Sequence, residues 1–166
     1  MEIRPATPKD IGLIRELARK SFPHTYRELL SAEQIAYMMD WMYSEKSLTE
    51  QMANGHIFRI ASENGVPVGY VSVEKQGETL FHLHRIYLLP EAQGKGFGKK
   101  LFECAVALAR ELAGGGSCRI ELNVNRYNTR AVEFYKKRGM FVTFEGDMDI
   151  GDGFLRTDYI MALDLA

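Results

Sequence analysis

Cysteine is scarce in this chain, with two among 166 residues. Cys104 and Cys118 cannot form a Cys-x-x-Cys pair, and two thiols are too few for a disulfide framework or a cysteine zinc cage. Neither sign of charge is in excess: 21 Lys plus Arg stand against 22 Asp plus Glu, a formal charge of −1. That balance argues against bulk attraction to nucleic acid or to an anionic membrane. Long apolar runs are missing as well, and none approaches the ~20 residues that span a bilayer. The opening Met1-Glu2-Ile3-Arg4-Pro5 lacks the apolar stretch of a secretory signal. Repeats, low-complexity tracts and linkers are absent. What is present is 46% hydrophobic and 26% charged residues, the proportions of a globular protein. The expectation is a cytoplasmic protein whose residues 1–166 form one domain, with reduced, packed thiols and no metal site.

Periodicity divides the chain clearly. Residues 2–6 read as a short strand, followed by Thr7 as helix cap, Pro8 at the first helical position and Asp10 in a capping box. Ile11, Ile14 and Ala18, with Leu13 and Leu17, then repeat at helical spacing. Residues 21–54 are rich in Met and aromatics; Ile35, Met38, Met39 and Met42 mark a second helix, and Ser44 caps a short third one through Met52. From His56 the period changes to two. Strands at 57–62 and 66–74 flank Asn64-Gly65, a strong two-residue hairpin signal because both positions need positive φ. A third strand covers 79–89, a helix about 96–113, a strand 119–125, a shorter helix 128–138, and two strands about 140–147 and 155–164. This order predicts an α/β fold, one mixed sheet with helices on both faces.

The turn Pro90-Glu91-Ala92-Gln93-Gly94-Lys95-Gly96-Phe97-Gly98-Lys99-Lys100 joins a strand to the most amphipathic helix. Such a turn aims unpaired backbone N–H groups at one spot, where the helix dipole adds positive potential, and glycines permit close approach. It predicts a phosphate or diphosphate site. The Walker pattern fails because Lys100 stands where a magnesium-binding hydroxyl is required. The dinucleotide fingerprint fails because Gly94-x-Gly96-x-Gly98 brings its last glycine one residue early.

Gln93-x-x-Gly96-x-Gly98 resembles the [QR]-x-x-G-x-[GA] signature of the GNAT superfamily of acetyl-CoA-dependent N-acetyltransferases. A second block, Asn128, Ala131, Phe134-Tyr135 and Gly139-Met140-Phe141, resembles the N-x-x-A-x-x-x-Y-x-x-x-G-F element of the same family, with Met140 as a small departure. The resemblance implies a mostly antiparallel sheet of about six or seven strands and direct transfer of acetyl from acetyl-CoA to an amine, without an acetyl-cysteine. It implies that the diphosphate rests on the amides of Gly94, Lys95, Gly96, Phe97, Gly98 and Lys99, beside Gln93. The pantetheine arm would pair with the backbone of Ile86, Tyr87 and Leu88, where the central strands splay, and Asn128 would contact it. Paired subunits are frequent in the family, so a homodimer is among the expectations.

Tyr135 is the candidate general acid for a thiolate leaving group whose solution pKa is near ~8.5; a packed aromatic is the alternative. A primary amine with a pKa near ~10 costs about 4 kcal/mol to deprotonate at pH 7, so a base or a water chain is needed. His84 is the first choice; His82, Glu121, Glu74 and water remain open, whereas Asn123 cannot act as a base. Phe22, Thr25 and Tyr26, with Asp149 to Asp158-Tyr159-Ile160-Met161, more weakly resemble the bacterial polyamine acetyltransferase branch. Aromatics and spaced carboxylates suit a polyamine: Phe22, Tyr26, Glu28 and Trp41 are the candidate acceptor contacts, with Glu33, Asp40, Asp149 and Asp152 as further acids. A small-molecule amine is the expected acceptor; a protein or peptide amine, or a module that binds acyl-CoA without turnover, are the alternatives.

Overall fold

The computed structural model describes residues Met1–Ala166. Strand β1 (Glu2–Pro5) leads to a capped turn. The Lys9 amide donates to Thr7 Oγ1, and the Thr7 amide donates to Asp10 Oδ2 at 2.9 Å, Thr7 and Asp10 pairing as a capping box. Helix α1 (Ile11–Tyr26) follows after a single 3-10 turn. Ser31 and Ser44 cap α2 (Ala32–Tyr43) and α3 (Glu45–Ala53), their hydroxyls accepting from the amides of Gln34 and Ser47 at 3.1 Å. Strands β2 (His56–Glu63) and β3 (Val66–Lys75) turn at Asn64-Gly65, where φ is 52° and 79°; the hairpin signal is realised by its own mechanism.

Strand β4 (Leu80–Leu88), helix α4 (Phe97–Leu112), strand β5 (Cys118–Asn125) and helix α5 (Thr129–Lys137) come next. The chain ends in a long hairpin, β6 (Phe141–Gly151) and β7 (Phe154–Leu165). It extends past the expected strand end near 147 because Asp152-Gly153 forms a second two-residue turn, with φ of 54° and 79°. Helix α2 holds that extension. The Tyr37 hydroxyl donates to the Ile150 carbonyl and the Gln34 side-chain amide to the Leu155 carbonyl, both at 2.7 Å.

The seven strands form one sheet in the order β1-β2-β3-β4-β5-β7-β6, antiparallel throughout except between β4 and β5. On one face α4 and α5 press Leu101, Phe102, Ala105 and Val132 onto Val71, Val73, Ile120 and Leu122. On the other, α1 to α3 press Ile14, Leu17, Phe22, Met42 and Leu48 onto Phe58, Ile60 and Tyr70. Each fully buried Leu, Ile or Phe contributes about 1.5–3 kcal/mol, so both faces are firmly covered. Cys118 is buried and Cys104 half-buried against the α4 cluster, where burial pushes the Cys104 thiol up. No helix is long and apolar enough to cross a membrane.

Two irregularities prepare a site. The parallel pairing of β4 with β5 covers only Leu80–His82 against Arg119–Glu121; beyond it the strands part. Between β3 and β4, Ser72 faces Arg85 while Val73 faces Leu83, so His84 is the extra residue of a bulge, which bends β4 and re-aims its side chains.

Candidate active site

The gap between β4 and β5 opens into a cavity of about 490 Å³. Leu83, His84 and Ile86 to Leu88 on one side and Leu122 to Val124 on the other line its walls, Tyr26 on α1 closes one end, and Gly94, Gly96, Gly98 and Lys99 form the other. The edges that face each other across the gap carry no ladder bonds beyond His82 and Glu121. Backbone donors and acceptors are therefore available to an extended ligand lying between the strands.

The glycine turn is a donor array. From Gly94 through Lys99, six successive backbone N–H groups donate to no acceptor in the protein, the helical ladder resuming only with Lys100 to Gly96 O. Gly94 and Gly96 adopt φ of 78° and 81°, a left-handed geometry that glycine takes without strain and that turns successive amides outward together. Gly96 ends at α4 with no side chain capping the first turn, so the helix dipole also points at this spot. Arg130 adds charge at the rim, its guanidinium donating to Gln93 Oε1 at 3.4 Å. The array can take an oxyanion with several oxygens.

At the apolar end of the gap, Tyr135 projects from α5. Burial pushes its phenol above the ordinary tyrosine value, so it stays protonated, and its hydroxyl donates to no protein group. His84 lines the same cavity. Its Nε2 lies 2.8 Å from Glu74 Oε1, leaving Nδ1 as the nitrogen with no carboxylate partner. Burial lowers His84 to about 4 despite the pull of Glu74, and lowers His82 to about 3, the neighbouring His84 adding to the effect. Both imidazoles are neutral at pH 7. Burial also tends to raise Glu74, but the bonds from His84 and Gln76 outweigh it and hold the carboxyl below its usual value.

The Acetyltransferase (GNAT) family model matches residues 13–140. This chain belongs to the GNAT acetyltransferase family. It is an acetyl-CoA-dependent N-acetyltransferase. The spermidine N(1)-acetyltransferase of Thermoplasma acidophilum is 28% identical over 164 residues, 96% of this chain and 98% of that one. The peptidyl-lysine N-acetyltransferase YjaB of Salmonella typhimurium is 31% identical over 105 residues, 63% of each chain. Among solved structures, the PaiA N-acetyltransferase of Thermoplasma acidophilum, in complex with coenzyme A, superposes with a TM-score of 0.78 at 28% identity, covering 97% of this chain and 96% of that one.

In this acetyltransferase, Ile86, Tyr87, Leu88, Gln93, Gly94, Gly96, Gly98, Lys99, Asn128 and Tyr135 all line the cavity. Lys95 and Phe97 do not: the Lys95 ammonium reaches Glu63 at 3.3 Å and the Phe97 ring is buried in the α4 core, so only their amides face the turn. Asn128 caps α5, its side-chain oxygen accepting from the Ala131 amide at 3.3 Å, while still forming part of the wall. Of the four acceptor candidates, only Tyr26 lines the cavity, sharing a hydrogen bond with the Tyr87 hydroxyl at 3.1 Å. Phe22 is buried beneath it, ring centroids 4.7 Å apart. Glu28 and Trp41 are exposed and stand away from the cavity, as the remaining acids Glu33, Asp40, Asp149 and Asp152 are exposed. Sequence reasoning missed His24, Arg27 and Arg130 on the lining, because no spacing rule ties the end of α1 to α5.

Proposed function

We propose that this acetyltransferase acetylates a primary amine of a small polyamine-type molecule, with Tyr135 and His84 as its catalytic residues. The observation that carries the reading is the continuity of one cavity, from six free amides, along two unpaired strand edges, to a buried phenol and an imidazole. The donor set suits a coenzyme with a diphosphate, amides along its arm and a sulfur at its end. Acetyl-CoA supplies the activated acyl carbon and a thiolate leaving group. The amides of Gly94 to Lys99 bind the phosphate oxygens, and the β4 edge at Ile86 to Leu88 orients the arm.

Tyr135 donates a hydrogen bond to the departing sulfur. A thiolate with a pKa near ~8.5 is a weaker base than this buried phenolate, so the phenol stabilises charge without surrendering its proton. His84 handles the other proton. An imidazole at about 4 is too weak by roughly 8 kcal/mol to take the proton of a free ammonium near ~10, so that proton leaves to water and the neutral amine attacks. As nitrogen becomes an amide its proton grows far more acidic, and a neutral imidazole with a free Nδ1 is suited to receive it, directly or through water. His82 lies off the cavity wall, and Glu74 is engaged with His84; both are placed to support His84 instead.

For the acceptor, support comes from the full-length likeness to a spermidine acetyltransferase and from Tyr26 and Tyr87, whose faces suit a cationic chain. The partial likeness to a peptidyl-lysine enzyme favours a second acceptor class. A panel of polyamines, aminoglycosides, amino acids and lysine peptides, read by free thiol release with acetyl-CoA, tests the choice. The highest kcat/KM is expected with a polyamine. A lysine peptide in first place would replace that acceptor, and tight CoA binding without transfer to any amine would make the chain a sensor.

A further inference from the structure

On the sheet face that carries α1 to α3, three adjacent strands present His56, Glu74 and His84 side by side. His56 and Glu74 are direct register partners across β2 and β3, and the bulge of β4 brings His84 to the same carboxylate. His56 Nε2 lies 3.4 Å from Glu74 Oε2 and His84 Nε2 lies 2.8 Å from Glu74 Oε1. The two imidazole rings stack, centroids 4.5 Å apart and planes 19° from parallel, so both direct their Nε2 atoms to one place. One potential ligand atom from each of the three residues lies within 4.8 Å of the others. Donors around a tetrahedral ion with bonds of ~2.0–2.1 Å stand roughly 3.3–3.4 Å apart, so small side-chain rotations convert this cluster into a three-ligand site. Two imidazoles and one carboxylate on a rigid sheet are the donor set of an imidazole-preferring divalent cation. The ligands are dispersed over three strands, so no Cys or His spacing motif announces them.

We infer that His56, Glu74 and His84 bind one divalent transition-metal ion of the zinc class, and that the bound ion switches acetyl transfer off. The second half rests on His84 as the proton acceptor proposed above. In the metal-free protein the His84 Nε2 proton is donated to Glu74 and Nδ1 keeps its lone pair. A metal on Nε2 requires the proton to move to Nδ1, because a neutral imidazole carries one N–H and one lone pair. Nδ1 is then a donor and cannot accept a proton from the amine. At His56 the same exchange costs no bond, since its Nδ1 is buried without a partner.

Protein stripped with a chelator and titrated with Zn²⁺ against a chromophoric chelator measures the site without acetyl-CoA. One ion per chain is expected, with affinity at least tenfold weaker in His56→Ala and in Glu74→Gln. Acetylated amine is read in parallel by mass spectrometry, because free CoA thiol binds zinc. Transfer by the unaltered protein should fall over the concentration range in which the site fills. His56→Ala, which keeps the His84–Glu74 pair, should match its metal-free rate and resist zinc; that retained rate also certifies its fold. Absence of binding, or binding undiminished in both variants, overturns the site. Stoichiometric binding with no loss of transfer overturns the switch and removes His84 as the proton acceptor, leaving the cofactor reading untouched.

Discussion

The two ends of the cavity are built on different principles. The glycine-turn end is made of main chain: free amides from Gly94 to Lys99, a helix N-terminus, and strand edges with unspent donors and acceptors. Its chemistry depends little on which side chains are present, provided that glycines at 94 and 96 hold a positive φ. The end we propose for the acceptor is made of side chains drawn from α1, β4 and α5, among them Tyr26, His84 and Tyr135, each aimed by long-range packing. A backbone site can be inherited with a short contiguous motif. A side-chain site can be rebuilt one residue at a time, so one family can keep its donor molecule while changing its acceptor.

Substitutions on either side sharpen this contrast. The largest effect is expected at the reacting end: Tyr135→Phe lowers kcat by about 10²-fold or more while the acetyl-CoA KM stays within about threefold, and unaltered turnover would remove Tyr135 from the chemistry. At the backbone end, Gly96→Asp sets a carboxylate beside bound phosphates and strains a φ of 81°. CoA affinity by calorimetry should fall about tenfold or more, equivalent to ~1.4 kcal/mol or more; an unchanged Kd would contradict the cradle. Gly69→Ala probes the frame between the two ends. A Cβ there would lie 2.5 Å from the Tyr87 carbonyl oxygen and 2.8 Å from Leu88 Cδ2, forcing β3 from the slot-lining stretch of β4. Urea unfolding should show a loss of about 1–3 kcal/mol, and full stability would mean the strands shift without strain. The smallest effects belong to Glu28→Gln and Trp41→Ala, which should leave the acceptor KM within about twofold; a large rise would bring those exposed residues into the acceptor site.

The geometry of the glycine-turn end was legible in the sequence because its signals are local. Gln93, Gly96 and Gly98 lie within one turn, and Asn128 and Tyr135 share a face two helical turns apart. The long helices, the Asn64-Gly65 hairpin and the mixed sheet followed from period and turn chemistry. Acceptor residues were read less well for physical reasons. Trp41 lies three residues after buried Met38, so period alone places it near the buried face, whereas the packing of α2 leaves it exposed. The Lys95 side chain is taken up by Glu63 from a distant hairpin. The bulge that turns His84 towards Glu74 and His56 has no glycine or proline to mark it, and arises from pairing between strands.

The central claim is that main-chain amides of Gly94 to Lys99 hold the diphosphate. An amide-resolved ¹⁵N NMR titration tests it most directly, with CoA in one series and pantetheine, which lacks the diphosphate, in the other. CoA should shift the six amides strongly at saturation while pantetheine leaves them nearly in place and moves Ile86 to Leu88. Amides that stay unmoved as CoA saturates the protein would contradict the account.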